Sequence, residues 1–356
     1  SLATDTVPNA GFESYNVPVG ALKSGSNTIA VEIHQRSPSS RDISFNAELL
    51  GLGAVPLMVP GINQVKIESF DADGSIIDSS QVNIWYDDGS ITGVSSIDKD
   101  TTWTLAGGPY LINEDLEVPI DVTLQIDPGV TVYFTEGRRM TVKGRLVAEG
   151  NEKMPIAFTN EPGSDGGWDG IYFESTKEES RMTHILQDGA DSGDQSISIS
   201  ESRVHLEHVE WAGTDKTILE LSNPHIDVVR CDFPSTSGQE VINGMGLGDE
   251  GYFNLKENLF QASSGYNDII NFSEGRRPGS IIYVVDNIFL GSTDDCLDLD
   301  GLDAHIEGNH FFNVHKDDPS RSSSANAIAA DNDAHLTVVR NLFYDVDHAI
   351  LLKNAS

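Results

Sequence analysis

Apolar and polar residues alternate along this chain in short runs of four to seven, broken by Gly, Asp, Asn, Ser and Pro. Side chains point to opposite faces along a strand, so each such run buries one face and wets the other. Few runs place apolar residues at the i, i+3, i+4 spacing of a helix. The pattern predicts an all-β chain. Over residues 1–98 it predicts sandwich-like strands at Leu22–His34, Ile43–Leu49, Pro60–Phe70 and Gln81–Trp85. That stretch is short for two complete sandwiches, so it reads as the ends of two modules or as one combined module. Asp71-Ala72-Asp73-Gly74 reads as a hairpin turn between the last two strands, with calcium as its functional alternative.

Residues 99–356 repeat. Arg230-Cys231-Asp232-Phe233, Glu257-Asn258-Leu259-Phe260, Asp286-Asn287-Ile288-Phe289, Gly308-Asn309-His310-Phe311 and Arg340-Asn341-Leu342-Phe343 share an Asn-x-Phe core, with His208-Val209-Glu210-Trp211 as an earlier member. The aromatic positions 211, 233, 260, 289, 311 and 343 are 22 to 32 residues apart. That spacing suits one coil of a solenoid with insertions in its turns. The four asparagines are expected to form a ladder inside a tight turn, the phenylalanines to stack in the core, and Cys231 to replace Asn as a small buried thiol.

Earlier in this region come the runs PGVTVYF (128–134), MTVKGRLVAEG (140–150), PIAFT (155–159) and WDGIYF (168–173). Their order resembles the opening coils of the pectate-lyase-like superfamily. The resemblance implies a right-handed parallel β-helix over 99–356 and, by itself, no function. In the first region, LKSGSNTIAVEIHQ (22–35) and DISFNAELLG (42–51) resemble the closing strands of galactose-binding-like jelly rolls in large secreted bacterial proteins. That implies a secreted or cell-surface location.

Charge narrows the partners. Fifty-six acids against 22 bases give a net charge of −34, a field that repels nucleic acid and anionic membranes and favours cations. No apolar run approaches the roughly 18 residues of a membrane span. Two cysteines, Cys231 and Cys296, make no disulfide framework and are expected as free thiols. The chain opens without a charged-then-apolar leader and stops just after a strand-like run. It is therefore expected to be a monomeric piece of a larger multidomain chain.

The candidate chemistry lies on the strand that follows each Asn-x-Phe. Aligned by pattern, these strands put Ile270, Leu297, Ile328 and Ile350 in one inward column and Phe272, Leu299, Ala330 and Leu352 in another. The outward columns are Asn271, Asp298, Ala329, Leu351 and Ser273, Asp300, Asp331, Lys353, while Asp268, Asp295, Asn326 and His348 stack at the turn before them. Sheet geometry separates Asp298 from Asp300 by roughly 7 Å and Asp298 from Asp331 by roughly 8 Å, and leaves about 5 Å between Asp300 and Asp331. The first two separations suit an inverting glycosidase and the third a retaining one. Like charges this close raise at least one pKa, as a general acid requires. A solvated or calcium-binding acidic face would present the same pattern.

Asp294-Asp295-Cys296-Leu297-Asp298-Leu299 resembles the Asp-Asp-Cys strand of polygalacturonase-like glycoside hydrolases. The resemblance implies catalytic acids at Asp294 and Asp295, a further one at Asp268 a coil earlier, and a His and a Lys at His348 and Lys353 on later coils. The family's Gly-His-Gly is Asp347-His348-Ala349 here, and its Arg-Ile-Lys has no match at Leu351-Leu352-Lys353. The leading expectation is carboxylate-catalysed hydrolysis of a polysaccharide by Asp268, Asp294, Asp295, Asp298 and Asp300, aided by His348 and Lys353, with Asp331, Arg276 and Arg277 binding substrate. It needs no cofactor. The alternatives are a calcium-dependent uronate lyase with Arg276 or Arg277 as base, since Glu274-Gly275-Arg276-Arg277-Pro278 resembles the Arg-x-Pro elements of pectate lyases, and a non-catalytic carbohydrate-binding or adhesion module. His305 and His335 are expected at equivalent repeat positions. With His310, His315, Asp317, Asp318 and Asp333 they match no standard zinc spacing. Trp103 and Trp168 are expected in the core.

Overall fold

The computed structural model describes residues 29–30, 58–70, 75–164, 166–275, 279–320 and 324–353. The chain forms two compact units, 1–87 and 88–356. In the first, Gly61–Phe70 pairs antiparallel with Ile76–Tyr86, setting Ile62 opposite Trp85 and Val65 opposite Val82. The short strand Ile29–Ala30 runs parallel to Ile67–Glu68. The expected turn at 71–74 and the strand expected at Ile43–Leu49 lie outside the described residues.

The second unit is a parallel β-solenoid. One sheet stacks ten parallel strands from Leu116–Val118 to His348–Leu352, one per coil. Each coil then bends through a turn into a second, larger sheet, where for example Asp303–Glu307 and His310–Val314 follow each other around a corner. The register is the one read from the pattern: Ile270, Leu297, Ile328 and Ile350 align, as do Phe272, Leu299, Ala330 and Leu352. Gly244 precedes Phe272 in the second of these columns, and a Cβ there would lie 2.4 Å from the Phe272 ring, so only glycine leaves room for it. Trp168 is fully buried, stacked on Phe134 at 3.9 Å, and Trp103 stacks on Tyr110 at 4.7 Å.

The corner turn holds two ladders. Trp211, Phe233, Phe260, Phe289, Phe311 and Phe343 form one continuous stack with centroids 4.5 to 5.2 Å apart. Beside it, the backbone N–H groups of Cys231, Asn258, Asn287 and Asn309 each donate to the side-chain oxygen of the next asparagine, at 2.9 Å every time. The amide nitrogens of Asn258, Asn287 and Asn309 donate to that same oxygen and to a backbone carbonyl. Each buried amide thus satisfies turn groups that no strand partner reaches. The residue before each ladder position has positive φ, including Arg230, Glu257, Asp286 and Arg340. The ladder supplies the hydrogen bonds that hold side-chain-bearing residues in that region. Cys231 takes the asparagine position as expected, and both cysteines are free and buried.

One expectation fails. His305 and His335 are not equivalent: His335 pairs with Asp303, and His305 with Thr337. The strand carrying His305 begins two residues before its histidine and the strand carrying His335 begins at its histidine, so the two imidazoles belong to different columns. His305 instead lies against Tyr283, with ring centroids 5.7 Å apart.

The ladders predict unequal costs for two neighbouring changes. Phe289→Ala empties the middle of the stack and is expected to cost about 3–5 kcal/mol. Asn287→Ala removes the acceptor shared by two Asn258 donors, at about 1–3 kcal/mol for each group left unpaired. Urea unfolding followed by circular dichroism measures both, and a wild-type midpoint for either variant refutes the assignment.

Candidate active site

The starts of three neighbouring strands of the ten-stranded sheet, Ile270–Gly275, Leu297–Asp300 and Asn326–Asp331, carry a second ladder, made partly of acids. Asp295 N donates to Asp268 Oδ1 at 3.1 Å. One coil on, Asn326 N and Nδ2 donate to Asp295 Oδ1 at 3.0 and 2.6 Å. The order Asp268, Asp295, Asn326 is the stack expected from the pattern, and Asn326 is in register with His348. Here each side chain caps the following coil, the reverse of the asparagine ladder. Asp294 N is held by Ser292 Oγ at 3.2 Å, and Tyr266 N by Thr293 Oγ1 at 3.2 Å, so the Ser292–Asp295 turn is tied both within itself and to the coil before.

This stacking brings carboxylates together. Oxygens of Asp268, Asp294 and Asp295 lie within 4.8 Å of one another. Asp298 stands outward on the strand that follows, and Lys353, two coils on, reaches back to it. Lys353 Nζ lies 3.2 and 3.0 Å from the two Asp298 oxygens and 3.4 Å from Asp295 Oδ2. Asp295 is nearly fully buried with both oxygens engaged, whereas the Asp298 side chain keeps 19% exposure.

The charges share too little solvent to ionise independently. Burial, then the charges of Asp295, Asp298 and Asp294, push Asp268 from 3.8 up to about 8, against the hydrogen bond from Asp295 N. Burial also raises Asp295, but the bonds from Asn326 and the charge of Lys353 hold it to about 6. Burial and the charge of Asp298 raise Asp300, which is in register with Asp331. Asp300 Oδ1 is buried and accepts no hydrogen bond among the described residues. Burial opposes the charge on Lys353, yet its bonds to Asp298 and then Asp295 outweigh it and hold the ammonium well above its ordinary value. Burial also pushes the Cys296 thiol, beside these acids, far up, which leaves it a neutral packing group.

The sequence-derived set therefore divides. Asp268, Asp294, Asp295, Asp298 and Lys353 form one cluster, and Asp300 and Asp331 continue it along the sheet. His348 is exposed, and its electrostatic neighbour is Asp347. Arg276 and Arg277 lie outside the described residues. Asn326 is the member that a search for catalytic side chains passes over, although its place in the Asp268–Asp295 column is visible in the sequence. The other histidines take separate partners: His305 Nε2 meets Glu307 at 2.5 Å, and His315 bridges Asp345 and Asp347 at 3.1 and 2.8 Å. Among the described residues, a helix long and apolar enough to cross a membrane does not occur. No protein-family model matches the chain, and no curated protein matches it.

The cluster sets a pH dependence of stability. A carboxyl whose pKa rises on folding contributes fully below its unfolded value, and that contribution is lost as pH rises through the folded value. For Asp268 the loss runs from about 4 to about 8. Asp268→Asn keeps an acceptor for Asp295 N and cannot ionise. It is expected to match the wild type at pH 4 and to exceed it at pH 8, on the order of a few kcal/mol. Denaturant midpoints at the two pH values test this, and an equal or lower midpoint at pH 8 refutes it.

Proposed function

We propose that this cluster hydrolyses glycosidic bonds in an extended polysaccharide. The observation that carries the reading is the split in proton affinity among carboxylates within 4.8 Å: about 8 at Asp268 and about 6 at Asp295. Near neutral pH one carboxyl holds a proton beside ionised neighbours, the pairing that glycoside hydrolysis uses. Asp268 gives its proton to the leaving glycosidic oxygen. Asp298, outward and against Lys353, takes a proton from the water that adds to the anomeric carbon. Asp295 holds Lys353 and the Asn326 turn in place, and Asp294 and Asp300 offer acceptors to sugar hydroxyls. The resemblance to polygalacturonase-like enzymes and to the pectate-lyase-like superfamily supports the same reading, as does the long surface of a solenoid. Such a protein works outside the cell or at its surface.

The same convergence favours a second reading, a bound divalent cation. Three carboxylate oxygens suit calcium, which would expel the proton from Asp268 and ionise the whole set. A uronate lyase would use that cation with Arg276 or Arg277 as base, and a carbohydrate-binding module would use it without chemistry.

For the hydrolase, kcat/KM is expected to rise through about pH 6 as Asp295 ionises and secures Lys353 beside the base Asp298, and to fall through about pH 8 as Asp268 loses its proton. Asp268→Asn and Asp298→Asn are expected to lower kcat by about 10²–10⁴. Reducing-end release that survives EDTA supports hydrolysis. An unsaturated, ultraviolet-absorbing product with loss of activity in EDTA supports the lyase, and glycan binding without turnover supports the module. Full activity in both variants of a working hydrolase removes the carboxylate mechanism.

A further inference from the structure

The outward face of the ten-stranded sheet carries an unbroken column that the proposed chemistry uses at one rung only. In register it runs Tyr172, Ser198, Glu220, Asn243, Asn271, Asp298. Every member is half-buried and carries a hydrogen-bonding group. Five steps at about 4.8 Å make roughly 24 Å, room for several pyranose units. Hydroxyl and carboxamide groups at such intervals suit the hydroxyls of a sugar chain. The column is braced: Asn243 Nδ2 donates to both Glu220 oxygens at 3.1 and 3.0 Å. Further along, Tyr172 donates to Asp169 Oδ1 at 3.1 Å, with the Arg139 guanidinium 5.1 Å from its ring centre, and Thr141 and Glu117 continue the column in register beyond it.

Beyond Asp298 the same column changes character. Ala329 and Leu351 follow in register. Neither side chain offers a hydrogen bond, and Ala329 is fully buried although it faces outward. Lys353 donates its backbone N–H to Ala330 O at 2.8 Å, yet its Nζ reaches Asp298, so its side chain crosses the Ala329 rung. A small residue at 329 leaves that crossing open.

We infer that a glycan lies along this column on the Tyr172 side of Asp298 only, and that Lys353 crossing Ala329 closes the other side. The site then takes the end of a sugar chain rather than its middle. This rests on the glycan reading above, but it concerns where the chain lies and not whether it is cut.

Two tryptophan substitutions, both outside the acid cluster and on the outward face, test it by binding alone. Asn243→Trp blocks the column about 10 Å from Asp298; Leu351→Trp lies a similar distance away on the closed side. Calorimetric titration uses glucan, mannan, galactan and galacturonan hexasaccharides and their disaccharides. The best-bound hexasaccharide is expected to bind about tenfold tighter than its disaccharide. Asn243→Trp should erase that advantage, and Leu351→Trp should leave it within about twofold. Equal affinity of the two lengths, no effect of Asn243→Trp, or equal harm from both variants overturns the inference. Length-dependent binding lost only in Asn243→Trp upholds it even where no hydrolysis follows, which would end the hydrolase reading alone. If no hexasaccharide binds, both readings fall.

Discussion

In a parallel solenoid every residue faces its counterpart one coil away, at the spacing of adjacent strands. A residue type is therefore acceptable at a repeated position only if it tolerates its own image. A phenylalanine does, because rings stack. An asparagine does so even better, because its amide carries both a donor and an acceptor and can bond upward and downward at once. The corner turns follow that rule: one continuous aromatic stack and one amide ladder run side by side and fix the register of both sheets. The positive-φ residues before each ladder position depend on them, since that backbone conformation persists only where its surroundings hold it.

Aspartate breaks the rule. It accepts but does not donate while ionised, and its neighbours repel it. The turn before the ten-stranded sheet nevertheless stacks Asp268 on Asp295. Three devices absorb the conflict: the next coil supplies Asn326 as a donor, Lys353 brings a cation from two coils away, and Asp268 keeps its proton. The reactivity proposed for the cluster and its instability have this one origin. Ordinary columns of the solenoid avoid such a conflict, as the Glu220–Asn243 pair does by alternating acid with amide.

What the sequence reveals follows from how local each fact is. The Asn-x-Phe repeat fixes the coil spacing, so both inward columns and the Asp268, Asp295, Asn326 stack can be aligned by hand. His305 and His335 misalign because the turn at 332–334 is one residue longer than that at 301–302, and the inward pairs Ala304–Leu336 and Ile306–Val338, not the histidines, set the register. The reach of Lys353 is invisible in a column diagram. It depends on a side chain spanning a coil, and on Ala329 being small enough to let it pass. The proton affinities are equally hidden, because they arise from burial and from charges on three separate segments.

The Lys353 contact also works as a tie across nonadjacent coils. Neighbouring coils are joined by backbone bonds along both sheets, whereas this side chain links one coil to the next but one. Through this one, the acid turn senses whether the coil of His348–Leu352 is seated. Any local opening of that coil withdraws the ammonium from Asp295 and Asp298, and the acids must then take up protons to remain buried. Proton content in the cluster is thereby linked to the docking of a segment that contributes none of the acids.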